Sequence, residues 1–165
     1  MSSMKKATLL NAIGTLFFLA TIWSGSVAIA DEGIVPYNTG NTSYHFNLGG
    51  NYSSTAATTG RLKEDTTSIF IWPHAIDFDM CYIYGEGSHS PSGSWASGSS
   101  QTVNGFGIVR KSDEERPLSL MTYIKENSYS YARITAWQCS QAGWMSGDWS
   151  PDSTQPYTYC NNGYH

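Results

Sequence analysis

The side chains able to do acid–base, nucleophilic or metal chemistry are few in this sequence and stand apart. His45, His74, His89 and His165 are widely separated, and no Cys or His pair has the spacing of a metal site. In Gly85-Glu86-Gly87-Ser88-His89 a hydroxyl neighbours an imidazole. A nucleophile and its base are brought together in space, however, and this stretch has no strand-to-helix frame to hold them. Asp77 and Asp79 share one strand face; the pattern suits a carboxylate pair, calcium ligands or, more simply, two solvated charges. Neither a Gly-x-Ser-x-Gly elbow nor a phosphate-binding loop occurs. The chain reads as a non-enzyme, and its residues call for no cofactor and no metal.

What remains is aromatic, turn-forming and thiol chemistry. Residues 147–154 (GDWSPDST) set Trp149 against Ser150, Pro151, Asp152 and Ser153. Ser150 precedes a proline and is biased to extended backbone. Pro151 and Asp152 suit the centre of a turn, and Asp152 and Ser153 can hydrogen-bond neighbouring backbone amides. Two readings stand: a corner pinned by a buried Trp149, which is favoured, or a tip that binds a partner. Trp95, inside the Gly- and Ser-rich stretch 85–101, is either an exposed contact residue or docked on the sheet. Cys81, Cys139 and Cys160 allow at most one internal disulfide. Cys139 and Cys160 bracket the tryptophan motif and are the favoured pair, with three reduced thiols as the alternative.

Strands must position these groups, and the hydrophobic pattern supplies them. Residues 43–48 (SYHFNL) alternate, with Tyr44, Phe46 and Leu48 on one face. A turn and a weaker extended piece follow over 49–60. The segment 61–72 (RLKEDTTSIFIW) reads as one strand running from a charged margin, with Arg61, Lys63, Asp65 and Thr67 on one side, into an apolar core. Pro73 lacks the N–H for a ladder and is expected to end it. Residues 78–84 form the next strand and the antiparallel partner of 61–72; 106–109 resume a strand, and 110–117 are a charged turn. Leu118, Met121 and Ile124 recur at a spacing of three behind Pro117, which predicts a helix over 118–126 with Asn127 as its left-handed stop. Residues 129–139 are the longest strand candidate, and their face of small residues lets a second layer approach. The expected fold is mainly β: a small antiparallel β-sandwich or curled sheet with one short helix at about 118–126.

The amino terminus has a different composition. Lys5 and Lys6 precede an apolar stretch at 12–23, and Ala28-Ile29-Ala30 stands before Asp31. This is the three-part pattern of a secretory signal peptide over 1–30 cleaved before Asp31, with an uncleaved anchor as the alternative. Residues 31–42 read as a flexible segment and 43–165 as a single β-rich domain. Beyond Ala30, seven Lys and Arg stand against thirteen Asp and Glu with no basic stripe, so nucleic acid is excluded as a partner and the membrane matters only during export.

Three clusters occur in order: RLKEDTTS at 61–68, YIKENSYSYA at 123–132 and GDWSPDS at 147–153. Behind a signal peptide, they resemble an uncharacterised family of small secreted proteins of Gram-positive bacteria, a domain of unknown function. Ser128 departs from that pattern, which has glycine after Glu-Asn. The resemblance spans most of 43–153 and implies no catalytic residue. Some similar proteins are encoded beside bacteriocin-type exporters, which implies a bacteriocin-like effector or its accessory, acting on a cell-surface receptor or a secreted partner. The alternative is a cell-wall or glycan-binding module, for which five tryptophans and eleven tyrosines beyond Ala30 provide stacking surfaces.

Overall fold

The computed structural model describes residues 39–50, 54–138 and 141–161, all within the compact unit Glu32–His165. The expected signal peptide, most of the segment 31–42, Cys139 and His165 lie outside the described residues. Among those described, ten strands, one α-helical turn and two 3-10 turns (Val103–Gly105 and Lys111–Asp113) occur; the strands and the α-helical turn are β1 (Thr42–Leu48), β2 (Thr55–Ala57), β3 (Arg61–Leu62), β4 (Ile69–Ile76), β5 (Met80–Ser88), α1 (Gly98–Gln101), β6 (Gly107–Arg110), β7 (Leu118–Leu120), β8 (Tyr131–Gln138), β9 (Gly143–Ser150) and β10 (Thr158–Tyr159). They form two sheets with no closed barrel. One runs β1-β9-β4-β7-β10; the other runs β2-β8-β5-β6, with β3 also on β8. All pairings are antiparallel except β10 on β7. The mainly β, two-sheet expectation therefore holds.

One core is shared by both sheets. Tyr44, Phe46, Leu48, Ile69, Ile71, Leu118, Leu120, Met145 and Trp149 come from the first sheet, and Cys81, Ile83, Val109, Ala132, Ile134 and Ala136 from the second. The alternation read at 43–48 and in β8 appears as alternating burial, because successive side chains of a strand point to opposite faces. The small inward residues of β8, two alanines around Ile134, leave room for the facing sheet.

Five sequence expectations are corrected. Leu118–Leu120 is strand β7, not the start of a helix over 118–126. A short run of Leu at alternate positions fits both periods, and pairing with Ile69 and Ile71 of β4 decides for the strand. Only one helix-like turn follows, in which the Asn127 amide donates to the Tyr123 carbonyl. Its left-handed residue is Ser128 (φ 66°), not Asn127, and this is the position where a glycine was expected. Pro73 does not end a strand; β4 continues past it to Ile76 through a register shift between Pro73 and Ala75. Residues 61–72 are not continuous, since Lys63 to Ser68 form a loop between β3 and β4, and β4 and β5 are not partners but belong to different sheets. Strand β9 has no counterpart in the sequence reading, although it lies between β1 and β4. Opposite the Pro73 bulge, Gly147 of β9 has no room for a side chain: a Cβ there would lie 2.0 Å from the Trp72 carbonyl oxygen.

Candidate functional site

The tryptophan corner is built where β9 ends. Strand pairing places Trp149 opposite Thr42 and Ile71, and its ring is fully buried. Arg61 covers it from the side, with the guanidinium carbon 5.6 Å from the ring centroid and Nη1 donating to the Trp149 carbonyl at 3.3 Å. The chain then reverses: the Ser150 hydroxyl donates to the Asp152 carbonyl (2.6 Å), and the Ser153 hydroxyl to the Gln155 carbonyl (2.6 Å). Trp149, Ser150, Pro151, Asp152 and Ser153 are all buried.

The residue that sequence reasoning misjudged is Lys63. Its sequence pattern suits a charge at a sheet margin, yet it is among the largest fully buried side chains. Its Nζ donates to the Thr67 carbonyl (2.6 Å), the Pro151 carbonyl (2.8 Å) and Asp152 Oδ1 (3.0 Å). Asp152 Oδ2 accepts from the Glu64 amide at 3.1 Å, so the carboxylate holds a distant loop and does not merely cap its own turn. Asp65 organises that loop through Oδ1, which accepts from the Thr67 amide (2.8 Å) and hydroxyl (2.5 Å); the Thr67 hydroxyl in turn accepts from the Ser153 amide (3.0 Å). Burial pushes Lys63 below the usual lysine range, with the Asp152 charge opposing, and pushes Asp152 above the usual carboxylate range, with the Lys63 charge opposing. The third cluster closes the arrangement: Lys125 Nζ donates to the Lys63 carbonyl (3.3 Å), and the Lys63 amide to the Ser130 carbonyl (2.9 Å). All three sequence clusters thus meet around one buried ion pair.

Beside this lock lies a cleft of about 460 Å³, lined by Thr66, Thr67, Tyr123, Glu126, Ser153 and Gln155 among others. Tyr123 is 46% exposed at its rim.

A second region occupies the outer face of the other sheet. Because Cys81, Ile83, Gly85 and Gly87 of β5 turn inward, Tyr82, Tyr84 and Glu86 turn outward; β8 likewise presents Arg133, Thr135 and Trp137. Tyr82 meets Phe106 edge-on (4.8 Å) and Trp137 at 5.9 Å, and Trp137 meets Tyr84 at 6.3 Å. Phe106 is 40% exposed. A polar group adjoins these rings: Glu86 Oε2 accepts from Arg133 Nε (2.6 Å) and the Thr135 hydroxyl (2.8 Å). Trp95 docks here half-buried, with Arg133 4.5 Å from its ring centroid, on a backbone where Gly60 leaves space for the indole. An open depression of about 280 Å³ is bounded by Tyr84, Glu86, Ser97, Ser99, Thr135 and Trp137.

The remaining candidates do not converge. Ser88 is buried, whereas the His89 ring packs on Tyr129 at 4.8 Å. Asp77 and Asp79 are exposed. His74 lies 3.2 Å from Glu115 and 3.3 Å from Asp148, whose hydrogen bonds raise its pKa. Among the described residues no group of three or more His, Cys, Asp or Glu could hold a metal ion. The favoured Cys139–Cys160 bridge has no counterpart among the described residues. Cys160 is a free thiol buried against Gly107 and Leu120, its pKa pushed up to about 12 by burial, and Cys139 lies outside them.

No curated protein and no solved structure matches the chain. A family described as protein of unknown function (DUF2712) matches residues 26–153, a span that contains both partners of the buried ion pair and all three clusters around it. The chain therefore belongs to that uncharacterised family.

Proposed function

We propose that this is a secreted, non-enzymatic domain that binds cell-wall carbohydrate through the outer face of the β8-β5-β6 sheet. The observation that carries the reading is the row of Phe106, Tyr82, Trp137 and Tyr84 beside the Glu86–Thr135 pair. Aromatic faces stack against the C–H face of a sugar ring, and a carboxylate next to a hydroxyl can take up sugar hydroxyls at the ring edge. The shallow depression fits a chain of sugars lying along the sheet better than an enclosed small molecule. Export rests on the Lys5-Lys6, apolar and Ala28-Ile29-Ala30 pattern. The bacteriocin-like reading rests on resemblance alone, and no side-chain geometry adds to it. Purified wall sacculi incubated with residues 31–165 should sediment the protein. Trp137→Ala should weaken that binding about 10-fold or more, about 1.4 kcal/mol or greater, as expected for a central aromatic contact. Equal sedimentation of parent and variant, or none for the parent, would overturn the reading.

A further inference from the structure

The Lys63–Asp152 pair holds an amine against a carboxyl inside the protein. The Lys63 side chain and the Asp152 carboxyl are both 0% exposed and 3.0 Å apart. Two fixed carbonyls, of Thr67 and Pro151, accept two of the lysine N–H groups, and the third direction of the tetrahedral nitrogen meets the carboxyl. On the far side of that carboxyl the Glu64 amide donates to Oδ2, where charge would develop during attack. We infer that Lys63 and Asp152 condense spontaneously into an intramolecular isopeptide bond that staples the 63–68 loop to the turn after β9.

The step balances without any co-reactant. The neutral Lys63 amine attacks Cγ of the protonated Asp152 carboxyl and forms the N–C bond. One nitrogen proton passes to the departing hydroxyl; the C–O bond breaks and water leaves. Burial moves both groups toward these neutral forms, lowering the lysine and raising the carboxyl. Holding the two groups in contact replaces a bimolecular encounter, and a site closed to water deprives hydrolysis of its reactant. The product also removes two buried charges, which are costly even when paired.

Peptide mapping of the full chain, denatured and reduced, tests this. The expected result is one branched peptide joining the segment with Lys63 to the segment with Asp152, lighter by one water than its parts. Asp152→Asn should give the same branch with loss of ammonia in place of water, and Lys63→Met should give none. Folded parent protein in which Lys63 and Asp152 are recovered only in separate linear peptides overturns the proposal.

Discussion

Trp149 and Trp137 sit on strands of opposite sheets and do different work. Trp149 is sealed at the corner, with Arg61 across its ring and a charged pair beneath the next turn. Trp137 lies half-buried on an outer face, among rings that no second sheet of the described residues covers. The corner is contiguous in sequence because one turn builds most of it, so it looks like a motif. The aromatic face draws single residues from β5, β8 and the segment before β6, two apart along each strand, and leaves no motif at all. In this molecule the conspicuous cluster marks architecture, and the binding surface we propose is dispersed.

Substitutions should separate the two regions. The largest effect belongs to Trp149→Ala, which empties a core site and should cost about 3–5 kcal/mol of stability in denaturant melts. Asp152→Ala should cost a comparable amount, at least about 3–5 kcal/mol, because it leaves Lys63 buried without its partner. Sequence reasoning, which gave Asp152 only a turn hydrogen bond, expects roughly 1 kcal/mol, so the size of the loss distinguishes the two views. The paired replacement Lys63→Met with Asp152→Leu should recover part of it, since an apolar pair carries no desolvation cost. Gly147→Ala should cost about 1–3 kcal/mol by forcing β9 away from Trp72. Trp137→Ala should leave the melt nearly unchanged and act on wall binding alone.

The smallest effect concerns His74. Its pKa is raised by hydrogen bonds to Glu115 and then Asp148, so its charged form is favoured by folding. That contribution is complete below the ordinary value of 6.5 and is lost as pH rises through the raised one. With the side chain 36% exposed, solvent screening keeps it well under about 1 kcal/mol. Melts of parent and His74→Gln should therefore differ slightly near about pH 5.5 and coincide near about pH 9.

The strands legible in the sequence were those whose alternation is carried by large side chains, Tyr44-Phe46-Leu48 and Tyr131 to Trp137. Strand β9 escaped because one of its three inward positions before Ser150 is Gly147, which contributes no apolar signal. Lys63 escaped for a related reason: its burial depends on Asp152, 89 residues away, and local pattern carries no information about a partner that distant. The seam between β4 and β5 was misread because a hairpin and a crossing between sheets look alike over so few residues. Phe78 lies buried at that crossing, while the Asp77 amide donates to the Trp144 carbonyl.

The division of labour between corner and face is tested most directly by amide chemical-shift mapping of labelled protein titrated with soluble wall-glycan fragments. The account predicts shifts confined to the backbone of Tyr82, Tyr84, Phe106, Thr135 and Trp137, with Lys63 and Trp149 unmoved. Shifts centred on Thr67, Tyr123 and Ser153, around the cleft beside the lock, or no shifts at saturating fragment, would contradict it.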